Sequence, residues 1–297
     1  MILVTLLRVC LISLALLAFV TKRLAFLRAT VLAYGRLNHT ADRPQSNLQT
    51  RLQRLTVPKA WFSHFYFVGL AFAAYCVIEM VFLPHGPLMY ALRRWDTPEG
   101  SDRVDKTTVV ISVCMIICHL ARRAYESMYV EQASAQARMH VSHYLVGLGF
   151  YGAMVLAAWI EGAVSLGVWP STPRAPPTQM AWRVAGVLLF IYASVHQYRC
   201  HAILANLKKK QKGYVIPRGD WFEYVVSPHY LADILVYVAL CLVNGGRNLT
   251  YLCGLVWTVV NLSVTAGESE AWYRKTFGRE YSAAFPAKRW VILPGFY

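Results

Sequence analysis

Trp61-Phe-Ser-His-Phe-Tyr-Phe-Val-Gly-Leu-Ala-Phe-Ala-Ala-Tyr-Cys-Val-Ile-Glu-Met-Val-Phe-Leu83 carries a single formal charge, Glu79, in 23 residues. A helix of about 20 such residues crosses the roughly 30 Å hydrocarbon core of a bilayer. In lipid every backbone group must find its partner inside the protein, which leaves helices or closed barrels, and the run is too long for a barrel strand. Working outward, similar runs occur at about 2–20, 108–125, 143–168, 182–200, 228–244 and 249–266, so seven spans are expected. The fold class this predicts is an all-α integral membrane protein, a bundle of about seven transmembrane helices.

Composition agrees. Hydrophobic residues make up 57% of the 297 and charged residues 15%, against about 25% charged in soluble domains. The net charge of +15 would suit nucleic acid, but the basic residues sit in the short segments between apolar runs, where topology and anionic lipid account for them. No nucleic-acid partner is expected. Lys22 through Lys59, Arg122 with Arg123, Arg199 through Arg218 and the tail from Arg274 to Arg289 form the basic segments, and these alternate along the chain. The positive-inside rule then puts the N-terminus in the lumen and the C-terminus in the cytosol. The first run lacks a basic leader and a small-x-small cleavage site, so it reads as a retained anchor. Residues 1–56 form this anchor helix and a basic cytosolic linker, and residues 57–297 form the main membrane domain. The sequons at Asn38 and Asn248 fall in cytosolic and tight luminal positions, and neither is expected to be glycosylated. The patch Pro170–Pro177 reads as a luminal loop. Most of the seven cysteines, Cys114 and Cys118 among them, read as small buried hydrophobes.

Ionisable side chains are costly near a bilayer, so each is a functional candidate. His64 and Tyr66 open the second span. His119, Arg122 and Glu126, spaced i, i+3, i+7, share one helix face at the end of the third, beside Arg123. His196 and His201 close the fifth span, His229 and Asp233 open the sixth on one face, and Glu268 and Glu270 follow the seventh. All fall at the same membrane boundary, which predicts one polar cavity there. Lys208-Lys-Lys210 reads as a lipid-facing charge run with one lysine available to a phosphate. Glu79 lies in mid-span, where internal pairing and function are equally open. His140-x-x-His143 and His196-x4-His201 do not make the histidine boxes of a di-iron membrane enzyme, and no metal is expected. There is no Gly-x-Gly-x-x-Gly or Walker loop, so any nucleotide must be held by the bundle itself.

The segment Tyr214-Val-Ile-Pro-Arg-Gly-Asp-Trp-Phe-Glu-Tyr-Val-Val-Ser-Pro-His-Tyr-Leu-Ala-Asp233 resembles the C-terminal signature of the steroid 5α-reductase family, in its polyprenol reductase branch. Cys200-His201-x4-Ala205-Asn206-Leu207-Lys208, Val57-Pro-Lys-x-Trp61-Phe-x-His64-Phe-Tyr66 and His119-Leu-x-Arg-Arg123-x-Tyr-Glu126-x-x-Tyr-Val130 are similar to the same branch. The resemblance implies a seven-helix fold in the endoplasmic reticulum membrane, NADPH bound from the cytosolic side by about 196–297, and reduction of a conjugated carbon–carbon double bond. It also implies a cofactor set of His201, Lys208, Tyr214, Asp220, His229, Asp233, Tyr273 and Arg289. The catalytic set is expected among His119, Tyr66, His64, Arg123 and Glu126, with His119 or Tyr66 as proton donor. Relatives that reduce steroids or enoyl-CoA carry a tyrosine donor where this chain has Leu120.

For a polyprenoid substrate the chemistry selects the aldehyde. A hydride needs an electrophilic carbon, which an allylic alcohol lacks and an α,β-unsaturated aldehyde has. The expected reaction is therefore polyprenal to dolichal, in the dolichol pathway that supports N-glycosylation. The partners expected are the polyisoprenoid lipid and the bilayer, and no protein partner is inferable. A second resemblance, of Glu268-x-Glu270-x6-Phe277-Gly278-x-Glu280-Tyr281, is to isoprenylcysteine carboxyl methyltransferases, which use S-adenosylmethionine. Their Arg-His-Pro-x-Tyr-x-Gly motif is replaced here by Ser227-Pro-His-Tyr-Leu231. A steroid or enoyl-CoA reductase is the remaining alternative.

Overall fold

Long apolar runs become helices because the helix alone satisfies its own backbone in lipid. The computed structural model describes residues 2–24, 51, 54–83, 85–95, 104–131, 134, 136–163, 166, 177–210, 213–285 and 289–297. The Asn38 sequon, the linker residues 25–50, Lys212 and Lys288, and the Pro-rich patch up to 176 lie outside the described residues. Eight α-helices are described: α1 (Ile2–Arg23), α2 (Phe62–Phe82), α3 (Pro87–Trp95), α4 (Lys106–Tyr125), α5 (Val141–Ala157), α6 (Gln179–Lys210), α7 (Pro228–Val243) and α8 (Leu249–Ala284). Strands β1 (Thr56–Pro58) and β2 (Arg138–His140) pair antiparallel, Val57 opposite Met139, and bring the starts of α2 and α5 together.

Five segments are long and apolar enough to cross a membrane: Ile2–Arg23, Lys59–Phe82, Lys106–Val130, Val141–Gly162 and Leu249–Ala284. The chain is a multi-pass membrane protein. The runs expected at 182–200 and 228–244 are helices too, of a different kind. At 16 residues α7 is apolar but short. At 32 residues α6 is long, but it carries Arg183, His196, Gln197, Arg199 and His201 along its length. The two pack antiparallel, and a Cβ added at Gly186 would stand 2.7 Å from the Ala239 carbonyl and 2.8 Å from the Val243 amide nitrogen. Only glycine lets the two backbones approach this closely.

Two spans run further than their sequence patterns. The third continues past Tyr125 through one π-helical turn, Glu126–Val130. The last extends to Ala284, with a break at Gly278, whose φ is 49°. Outward faces are apolar: Leu16, Val81, Leu145 and Leu188 are each more than half exposed, as a lipid-facing surface requires.

The ionisable groups at the far end of the bundle are paired. Glu79 is fully buried and accepts from the Leu88 and Met89 amides at 3.0 Å and from the Tyr75 hydroxyl, so it caps α3. Of its two open readings, internal pairing is the one realised. Glu161 takes the Leu249 and Thr250 amides at the start of α8 and pairs with Arg8 of α1 at 2.8 Å. Asp105 caps α4 through Thr108 and meets Arg183 of α6 at 2.5 Å. Burial raises the Asp105 pKa, but Thr108 and Arg183 outweigh it and hold the carboxyl below its ordinary value.

The C-terminal segment returns over the loop before α7. Trp290 bridges to Val225 in parallel, and the Val226 amide donates to the Trp290 carbonyl at 2.8 Å.

Candidate active site

At the opposite end, α2, α4, α6 and α7 converge their polar residues on one point. Tyr66 lies one turn into α2, 1% exposed. Its hydroxyl accepts from Arg123 Nη2 at 2.8 Å, and the guanidinium also lies over the ring, 5.0 Å from its centroid. Arg123 Nη1 donates to Glu126 and, at 2.7 Å, to Glu131. The π turn makes this possible. Its closing bond, Glu131 amide to Glu126 carbonyl at 2.7 Å, inserts an extra residue, so both carboxylates reach the same guanidinium. Burial raises the Glu131 pKa, but Arg123 and His201 outweigh it and keep the group a carboxylate.

Arg122 takes the other side. It donates to Glu126, to the Gln197 side-chain oxygen, and at 3.3 Å to His119 Nδ1. Gln197 in turn donates to Asp233 at 2.8 Å. A continuous chain thus runs Tyr66–Arg123–Glu126–Arg122–Gln197–Asp233 across four helices. His201 Nδ1 lies 2.7 Å from both Arg123 Nη1 and Glu126 Oε2. Ligand atoms of Glu126, Glu131 and His201 fall within 4.8 Å of one another, and the cation they surround is the Arg123 guanidinium.

This chain forms one wall of a cavity of about 510 Å³. Tyr66, Arg123, Gln197, His201, His229 and Asp233 line its polar side; Val146 and Phe150 of α5 face Trp257 and Leu262 of α8 on its apolar side. Lys59, Ser134 and Lys208 stand exposed at its mouth.

Of the expected catalytic residues, Tyr66 and Arg123 reach the cavity. His119 is fully buried and outside the lining, its Nε2 3.8 Å from Asp233 Oδ1 and without a hydrogen bond among the described residues. Glu126 stands behind Arg123. His64 turns to α5, its Nδ1 3.1 Å from the Tyr144 hydroxyl. Leu120 is fully buried, and its side chain would lie 3.2 Å from a Cβ at Gly69.

Of the expected cofactor residues, His201, Lys208, His229 and Asp233 line the cavity. Asp220, at φ 47°, accepts from its own Trp221 amide and meets His196 Nδ1 at 2.7 Å, with the His196 ring stacked on Trp221. Tyr214, Tyr273 and Arg289 gather elsewhere, in an aromatic cluster around Trp272 and Tyr281. Arg289 is 7% exposed; its guanidinium lies 3.9 Å from the Phe285 ring centroid, and none of its three nitrogens makes a well-formed hydrogen bond among the described residues. Burial pushes its pKa below the ordinary arginine value.

Gln197, Glu131, Lys59 and His143 belong to the site and were not anticipated. Gln197 had a signal: it lies four residues before His201, on the same helix face. Glu131 had none, because only the π turn brings it to Arg123.

Residues 158–297 match the family described as 3-oxo-5-alpha-steroid 4-dehydrogenase. The chain is 30% identical over 287 residues to polyprenal reductase 1 of Oryza sativa subsp. indica, covering 81% of this chain and 80% of that protein. It is 31% identical over 254 residues to polyprenal reductase of Homo sapiens, covering 80% and 77%. With polyprenal reductase 2 of Arabidopsis thaliana the match is 28% over 327 residues, covering 93% and 91%. The chain therefore belongs to the steroid 5α-reductase family, within its polyprenal reductase branch.

Proposed function

We propose that the protein reduces the α-isoprene double bond of a polyprenal to give the dolichal, using NADPH, in the endoplasmic reticulum membrane with its N-terminus luminal. The observation that carries this is the Tyr66 hydroxyl, held by a buried arginine at the wall of a cavity whose other side is apolar. That pairing suits an aldehyde head with a polyisoprenoid tail.

The residues fit a dinucleotide phosphate. Arg289 is a buried cation without a hydrogen-bonded anion among the described residues, and Lys208 adds a second positive charge at the cavity mouth. Arg289, with Tyr214 and Tyr273 in the same aromatic cluster, would take one phosphate, and Lys208 another. His229 and Asp233, the latter held by Gln197, would take the nicotinamide end, and Asp220 shapes its loop through His196. When bound, NADPH supplies the hydride for the β-carbon. The chain's own contribution is at the carbonyl oxygen. Arg123 donates to the Tyr66 oxygen, which leaves the Tyr66 O–H free to donate to the substrate and stabilise the charge developing there. The four-charge cluster of Arg122, Arg123, Glu126 and Glu131 is balanced, so it fixes Arg123 without adding net charge to the cavity.

The methyltransferase alternative is not favoured. Glu270, part of the tail pattern behind it, pairs with Arg274 one turn later at 2.7 Å, on the surface of α8. Leu120 has no proton to give, which separates the chain from relatives that use tyrosine there.

The test uses the purified protein in detergent with NADPH and either polyprenal or polyprenol, following NADPH oxidation and product mass. Turnover of polyprenal but not polyprenol is expected. No oxidation with either lipid by folded protein would sink the reading and bring S-adenosylmethionine binding forward.

A further inference from the structure

Hydride addition leaves an enolate that must be protonated at its α-carbon, and Tyr66 is engaged at the oxygen. We propose that His201 is the acid that protonates the α-carbon, acting as an imidazolium held at Nδ1 by Glu126 and Glu131. This rests on the reductase reading above.

Three observations carry it. First, His201 lines the cavity, and its Nε2 makes no hydrogen bond among the described residues. Second, its Nδ1 is anchored beside carboxylates, 2.7 Å from Glu126 and 3.3 Å from Glu131, with Arg123 Nη1 also at 2.7 Å. With Nδ1–H held there, Nε2 is the nitrogen that gives up and regains the proton. Third, the charges balance. Arg122 and Arg123 face it with Glu126 and Glu131, while Asp233 and His229 face it from α7 and Tyr66 from α2. The two arginines cancel the two glutamates, and Asp233 offsets the imidazolium.

The step conserves atoms and electrons. The hydride brings its electron pair to the β-carbon, and the enolate pair takes the Nε2 proton. The new C–H bond forms as N–H breaks, leaving neutral imidazole with Nδ1–H on the carboxylates. Once product has left, water entering the cavity returns the proton to Nε2, while Nδ1–H stays on the carboxylates.

The experiment compares wild type, His201→Ala with and without added imidazole, and Glu131→Gln, all with NADPH and polyprenal. His201→Ala is expected to lose about 100-fold or more in kcat, with the NADPH KM within about threefold, and millimolar imidazole should restore about tenfold. Glu131→Gln weakens the hold on the imidazolium, so its kcat should decline toward high pH about one unit earlier than wild type. A His201→Ala enzyme within about threefold of wild-type kcat would overturn the proposal. So would a loss confined to the NADPH KM that imidazole does not recover, since His201 would then be a cofactor contact. If His201→Ala cannot be purified folded, an unchanged alkaline limb in Glu131→Gln overturns it alone. Absence of turnover in wild type strikes the reductase reading itself; turnover that survives loss of His201 strikes only this role.

Discussion

In the proposed reaction the chemistry turns on Tyr66 and Arg123. Removing the phenol oxygen in Tyr66→Phe deletes the donor to the carbonyl and leaves Arg123 paired with its carboxylates. We expect kcat to fall about 100-fold or more, with NADPH affinity within about threefold, checked by steady-state kinetics and by cofactor titration. Arg289→Gln should do the reverse. It removes the cation proposed for a phosphate, remote from the carbonyl, so the NADPH KM should rise about tenfold with kcat nearly unchanged. The sequence had placed both Tyr66 and Arg123 at the same membrane boundary, because an ionisable group there is legible as costly. It could not pair them. They lie 57 positions apart on different helices, and no local spacing encodes that contact. The same limit explains His119. Its face was read correctly, with Arg122 and Glu126, yet that face packs behind Asp233 instead of opening on the cavity.

Among the elements, the apolar helices were the most legible and their endings the least. Hydropathy marks where lipid begins, and it is silent about how a helix continues beyond it. The π turn after Tyr125 and the extension of α8 to Ala284 are set by side-chain partners, Arg123 in one case and the tail aromatics in the other. Helix α3 was not anticipated at all, since it depends on Glu79 reaching over from α2 to cap it. Glu79→Gln replaces charged acceptance of two amides and a hydroxyl by neutral acceptance. We expect a loss of roughly 0.5–2 kcal/mol, seen as a lower Tm in detergent with activity retained in the folded fraction. At the α6–α7 crossing, Gly186→Leu should be far more damaging, because the side chain would meet the backbone of α7. Folded yield measured by size exclusion should collapse.

For the molecule as a whole, chemistry sits at one end and structural ties at the other. The ties respond to acid. Asp105 has a folded pKa below its ordinary 3.8, so its stabilising contribution is complete above that value and is lost as pH falls through the lowered one. Asp105→Asn should therefore lower stability at neutral pH, by an amount on the order of 1.5–3 kcal/mol for a charged hydrogen bond, and Tm with it. The difference between variant and wild type should shrink in acid. Thermal unfolding at pH 7 and pH 3 checks this, and an equal difference at both would show that the carboxylate's charge plays no part.

Arg8 gives the ion pair with Glu161 a temporal meaning. A ribosome delivers α1 before α5 and α8, and its arginine then lies in a segment with no carboxylate of its own. Placing an arginine in the hydrocarbon costs about 2.5–3.5 kcal/mol even on the scale set by insertion experiments. The carboxylate that relieves this is made some 150 residues later, and Thr250, its second partner, later still. Helix α1 is thus made well before the partners that seat its arginine. Its docking waits for them, which makes this edge of the bundle a late step of assembly.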